Sequence, residues 1–468
     1  MKIIKNTLIF IFISVLIGSL LVGCSSSTSS TTSAAAASTS QAQVTGSTTA
    51  QESTTKVNNN IPDYLKGLSG TLKVAITPDT AGKGMRAKAK EFQDLTGVTV
   101  EYNEVGFETY YQQAPITIQS EKYTYDVMEF WEGAMQEFGP VGLLMPLEDK
   151  IGDLLKDVQP ALVKSATKGG HVYGIPILPS WMIMFYNKDI LSKAGLDPEK
   201  PPRTWDEFLA ACKKVTKDGT YGFTTSWEQS YGASFSFLNW QKSAGGTQYT
   251  WDNGKLNFHF DSPESKKALE FMKTIYDSGV LAPGVVTQTQ QDVTALFASG
   301  QVAFLHMWDM YSAYLNDPAN SKIIGKIGWM AFPGIDANKS AALNGHGIIG
   351  IPSSAKNVDA AVAFIKFVAS KENTKRRSLE EFTNPVYVEQ YSDPEIMKAI
   401  PYATVLSEVM KFDIDQFPPI KNSFDLNATT GQEIQKMLTS GQSIDDTLKN
   451  IQAKAQSMQS IKEMAPKQ

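Results

Sequence analysis

Aromatic rings standing next to carboxylates are the features of this chain best suited to chemistry. Trp131-Glu132, Trp227-Glu228 and Trp308-Asp309 each pair a ring with an acid, and Trp181, Tyr231, Phe235 and Tyr311 fall in stretches that read as loops or turns. A flat ring covers an apolar face, and an ionised carboxylate accepts several hydroxyl hydrogen bonds at once. A guest with apolar C–H faces and a rim of hydroxyls, such as a sugar or sugar alcohol, needs both. Each ring taken alone fits a hydrophobic core equally well. Trp181, between Pro179 and the apolar run 182–185, reads either way. For Trp131-Glu132 and Trp308-Asp309 a site is the better reading, because a buried acid without a partner is costly.

Bond-making chemistry leaves no comparable mark. His171, His259, His306 and His346 show no i,i+4 pair and no cysteine partners, so no metal site is expected. Neither a phosphate-cradling G-x-x-x-x-G-K-[ST] nor a G-x-S-x-G nucleophile turn is present. Residues 345–350 match G-x-G-x-x-G, but no strand leads into Gly345 and Pro352 stands where a helix should propagate. That stretch reads as a turn feeding a strand. Acids are plentiful, so a carboxylate pair for glycoside hydrolysis stays open as an alternative. No catalytic residue and no cofactor are expected.

The elements that must position these residues belong to a chain of 468 residues, 42% hydrophobic, with a formal net charge of −5. This composition fills a globular core and offers no broadly basic surface for nucleic acid. Lys2 and Lys5 precede an apolar run over 7–22, the order of a secretory signal peptide, and Leu21-Val22-Gly23-Cys24 resembles the bacterial lipobox. Residues 1–23 are therefore expected to be removed and Cys24 lipidated; an uncleaved N-terminal anchor is the alternative. The Ser/Thr/Ala-rich stretch that follows cannot bury enough apolar surface to order itself, and 24–69 reads as a lipidated cysteine plus tether. Cys212 is then the one other thiol.

From Gly70 strands and helices alternate, which predicts an α/β fold with a largely parallel first sheet. Strands are expected at 71–76, 98–105 and 125–130, and later at 327–332 and 348–351. A helix–turn–strand is expected over 295–305. Thr204 and Glu207, preceded by Pro201-Pro202, form a capping-box signature. Trp205, Phe208, Leu209, Cys212 and Val215 then share one helical face, which makes Cys212 a core thiol. Helices are expected over 357–369 and over 431–458, the latter broken at Ser440-Gly441.

Further segments carry a family resemblance. Tyr125-Asp126-Val127, Phe130-Trp131 and 142–147 (GLLMPL) come first, then 169–176 (GGHVYGIP) and 185–189 (FYNKD). PPRTWDEF at 201–208, SGQVAF at 299–304 and the segment 356–367 follow in order. In this succession the chain resembles the extracellular solute-binding proteins of bacterial ABC importers, in the carbohydrate-binding family that includes maltose-binding protein. Asn384-Pro385 and Gly345-His346-Gly347 depart from the usual pattern, and 316–328 is similar to members that take disaccharides or polyols.

The resemblance implies a two-lobed, periplasmic-binding-protein-like fold of type II, with discontinuous lobes over 70–178 and 334–383 and over 183–327 and 387–468. Crossing strands are expected near 177–182, 328–333 and 383–386. Thr77, Asp79, Trp131, Glu132 and His346 would face the ligand from the first lobe, and Trp181, Tyr231, Phe235, Trp308 and Asp309 from the second. The implied function is capture of a carbohydrate or polyol by hinged closure, on the outer face of the cell membrane, with delivery to ABC permease subunits by a monomeric receptor. A surface glycoside-processing enzyme and a receptor for another solute are the competing readings.

Overall fold

The computed structural model describes residues 61–460, apart from positions 105, 106, 121, 254, 416 and 459. The signal-like segment, Cys24 and the tether up to residue 60 lie outside the described residues. Residues 61–69, read from sequence as the end of the tether, belong to the folded body. Leu65 is buried in the core, and Asn357 Nδ2 donates to the Ser69 carbonyl at 3.0 Å. The polar average of the preceding stretch hides the local Tyr64-Leu65 anchor.

Nine strands build the two principal sheets: β1 (Thr71–Ile76), β2 (Thr99–Glu104), β3 (Val127–Phe130), β4 (Gly174–Leu178), β5 (Met182–Asn187), β6 (Tyr221–Thr224), β7 (Val302–Trp308), β8 (Ile327–Met330) and β9 (Gly347–Gly350). The first sheet has the order β2-β1-β3-β9-β4 and the second β8-β5-β7-β6. In the first, β1 runs parallel to both β2 and β3, and β9 is antiparallel to β3 and β4. In the second, β7 pairs antiparallel with β5, Trp308 opposite Met182, and parallel with β6. Every residue of β5 and of β7 is buried, as expected for central strands covered on both faces.

Six helices fix the site's surroundings: α1 (Pro78–Thr96), α2 (Glu132–Phe138), α3 (Trp205–Val215), α4 (Gly232–Ser243), α5 (Val358–Val368) and α6 (Lys371–Glu381). The capping box of α3 forms as its sequence predicts. Thr204 Oγ1 accepts from the Glu207 backbone N–H at 3.3 Å, and Glu207 Oε2 accepts from the Thr204 N–H at 3.1 Å. Cys212 is buried on that helix, and burial pushes its thiol well above the usual range, so it packs as a protonated core residue. The segment 345–350 is a turn entering β9, as its Pro352 neighbour implied.

The chain passes between the sheets at three places. Pro179-Ser180-Trp181 link β4 to β5, close to the expected first crossing. The second lies later than the expected 328–333. After β8 the chain stays with the second sheet's layer, because Gly334 N–H donates to Arg203 O at 3.0 Å and Ile335 N–H to Ser243 O at 3.0 Å. It crosses only at 341–347, where Trp181 bridges Asn344 and Gly345 N–H donates to Ser180 O at 2.9 Å. The last passage is also later than 383–386. Residues 386–388 pair with 157–159 of the first lobe, and Pro394–Ala399 packs on α6. Tyr402 then reaches Trp329 of the second lobe. The long helices Ser423–Ser440 and Ile444–Ser457 pack on each other, and the first of them on α4, the turn between them falling where Ser440-Gly441 predicted.

Candidate functional site

In an open α/β sheet the carboxyl ends of parallel strands face the ligand crevice. Thr77 ends β1 and Trp131 ends β3. Thr77 is buried, and its N–H and hydroxyl both donate to Glu129 Oε2, at 2.7 and 2.9 Å. Asp79 follows in the first turn of α1; its side chain lies outside the described residues. Trp131 stands at the N-terminus of α2, directly before Glu132. Glu132 is buried, and its Oε2 has no hydrogen-bond partner among the described residues. Burial, reinforced by the charge of Asp415, holds its carboxyl well above the usual range.

Asp413 and Asp415 arrive from the C-terminal third. The two-residue strand Asp413–Ile414 pairs in parallel with Ala342–Leu343, beside the second crossing. Trp181 Nε1 donates to Asp413 Oδ1 at 2.7 Å and Asn344 Nδ2 to Asp413 Oδ2 at 3.1 Å. Tyr249 OH donates to Asp415 Oδ2 at 3.3 Å. Burial and the neighbouring Asp415 push Asp413 up to about 6. Three acids, Glu132 buried and Asp413 and Asp415 half-buried, thus share one region fed by α2, the hinge and the strand Tyr249–Asp252, with Lys164 and Lys168 within electrostatic reach.

An aromatic wall adjoins them. Phe235 on α4 lies 5.9 Å from Trp308, edge to face, and 5.3 Å from Tyr231. Phe417 sits 6.5 Å from Phe235 and 6.1 Å from Phe424. Phe417 also meets α2 of the first lobe, where a Cβ at Gly133 would fall 2.8 Å from its ring. Rings from one lobe and the acid-bearing turn of α2 from the other therefore converge around the 413–424 segment.

Six of the residues expected to bind ligand come together here: Trp131, Glu132, Trp181, Tyr231, Phe235 and Trp308. Three others have different surroundings. Thr77 is bonded to Glu129. His346 is buried in the hinge turn, its Nδ1 accepting from the Ser180 N–H at 3.1 Å and its ring 4.8 Å from Trp181; burial pushes it down to about 3, so it is neutral. Asp309 is engaged by the hinge. Its Oδ1 accepts from Ser180 Oγ at 2.7 Å, and its Oδ2 from Trp181 N–H at 3.2 Å and Asn384 Nδ2 at 2.7 Å. Burial outweighs these donors and pushes it up to about 7. Trp227 is fully buried in the core and Glu228 caps α4, accepting from Tyr231 and Gly232 N–H groups. Glu129, Tyr249, Asp413, Asp415, Phe417 and Phe424 were missed. Asp413-Ile414-Asp415 stands far from any motif, and Phe417 before Pro418-Pro419 reads as an ordinary turn. Among the described residues, no group of three or more His, Cys, Asp or Glu is placed to hold a metal ion.

Comparison with known proteins bears on the family and the fold. The family profile described as bacterial extracellular solute-binding protein covers residues 77–375. A probable amino-acid ABC transporter periplasmic-binding protein of Sinorhizobium fredii is 23% identical over 394 residues, covering 82% of this chain and 88% of its own. A mannitol-binding protein of Pseudomonas aeruginosa is 26% identical over 315 residues, covering 65% and 70%. Among solved structures, maltose-bound T. maritima MalE3 superposes with a TM-score of 0.75 at 24% identity, over 83% of this chain and 99% of that one. This likeness establishes the two-lobed fold. Since the profile covers well over half of the chain, the chain belongs to the bacterial extracellular solute-binding protein family.

Proposed function

We propose that the protein is the substrate-binding component of an ABC importer and captures a sugar or polyol between its lobes. Trp131, Trp308, Phe235 and Tyr231 would cover C–H faces of the ligand, and Glu132, with Asp413 and Asp415 beside it, would meet its hydroxyls. The observation that carries this reading is the Glu132 carboxyl, buried beyond the carboxyl end of β3 with one oxygen unpartnered among the described residues. Such a group is expensive unless a guest completes it. The mannitol-binding relative supports the same ligand class. Cys24 would carry a lipid and the following residues a tether, holding a monomeric receptor near permease subunits at high effective concentration on the outer membrane face. The solute is released chemically unchanged.

A relative named for amino acids keeps a second reading in view. The acids grouped in the cleft disfavour it, because an amino acid's carboxylate would lie beside Asp413 and Asp415. A thermal-shift screen of ribitol, D-mannitol, maltose, arabino-oligosaccharides and the common amino acids separates the two. At least one sugar or polyol should raise the melting temperature, with no new reducing ends from the oligosaccharides. A response to amino acids alone, or cleavage of a glycan, contradicts the proposal.

A further inference from the structure

Asp309 lies just past the end of β7, in the second lobe. Its carboxylate holds Ser180 and Trp181 in the first crossing, and its own N–H donates to the Trp181 carbonyl at 2.9 Å. Its bond to Asn384 Nδ2, at 2.7 Å, leads elsewhere. Asn384 follows α6, precedes the 386–388 pairing with 157–159, and also donates to the Pro179 carbonyl at 3.0 Å. One buried acid therefore joins a second-lobe strand end to the first crossing and to the first-lobe side of the hinge. The ring wall of Trp308 begins one residue earlier in the chain.

We infer that Asp309 is a positioning residue for closure: through Asn384 and Ser180 it sets the angle between the lobes, and it acts on ligand only through that angle. Hydrogen bonds to a charged or ionisable acceptor are strong and directional, and their loss frees the relative motion of the elements they join. The inference rests on hinged closure as proposed above, but not on which solute is taken. Its test therefore needs no ligand.

Spin labels at Lys150→Cys and Lys267→Cys, exposed positions on the two lobes, report the interlobe distance by double electron–electron resonance in the full chain on a Cys24→Ser background; Cys212 is buried and escapes labelling. Asn384→Ala removes the cross-lobe arm together with the contact to the Pro179 carbonyl, and Asp309→Asn weakens the hub without changing its shape. Both variants should melt cooperatively near the parent temperature and show a distance distribution shifted outward or broadened. The double variant should go no further than the larger single effect, since both act on one contact. A distribution unchanged in both single variants, additive effects in the double variant, or loss of cooperative melting in both singles overturns the inference.

Discussion

Glu132 concentrates the electrostatic cost of the cleft. Its folded-state carboxyl titrates well above its unfolded value, so the stability linked to it is complete below about pH 4.5 and is lost as pH rises through the folded value. Glu132→Gln removes this linkage while keeping shape and hydrogen-bonding capacity. The variant should melt above the parent at pH 8 and close to it at pH 4, the difference at pH 8 corresponding to about 1–3 kcal/mol. Identical melting curves at both pH values would show that Glu132 is not the buried acid described here. At this scale the sequence was informative about adjacency: a ring followed by an acid singled out Trp131-Glu132, which the fold places in the candidate cleft. It could not separate that pair from Trp308-Asp309, in which the ring joins the wall and the acid joins the hinge, or from Trp227-Glu228, which is core and cap. The deciding quantity is which donors reach each acid, and those donors come from residues up to 129 positions away, as in Ser180 with Asp309.

At the scale of elements, two short segments have separable duties. The capping box of α3 stabilises a helix remote from the acids, so Thr204→Ala should cost about 1 kcal/mol of stability and leave solute affinity unchanged. Gly133 on α2 has the opposite profile. Adding a methyl there improves helix propensity by about 1 kcal/mol, yet pushes on the Phe417 ring. Gly133→Ala should therefore weaken binding of whichever sugar or polyol raises the melting temperature, with little loss of stability in the unliganded chain. Denaturant melts and calorimetry on both variants check the pair; a loss of affinity in Thr204→Ala with none in Gly133→Ala reverses the assignment. Strand and helix positions were largely legible, because periodicity, capping and Pro/Gly punctuation are local. The predicted strand 71–76 coincides with β1, and the predicted helix 357–369 brackets α5. The later two crossings were not legible. Backbone hydrogen bonds to Arg203, Ser243 and Asp157 decide where the chain leaves each lobe, and no local pattern encodes them.

For the molecule as a whole, two sheets and their crossings bring a first-lobe turn, a second-lobe ring wall and a C-terminal segment to one place. The family resemblance in the ordered motifs made that architecture readable before any coordinates. The contribution of 413–424 was not readable, because its residues carry no motif and matter only through where the preceding helices deliver them. Isothermal titration calorimetry of the full chain tests the central claim most directly, using the sugar or polyol that most raises the melting temperature, against the parent, Trp131→Ala and Trp308→Ala. The parent should bind one-to-one, and each variant should lose at least about tenfold in affinity, near 1.4 kcal/mol, with circular dichroism unchanged. Absence of binding heat for every sugar and polyol, or full affinity in both tryptophan variants, would contradict it.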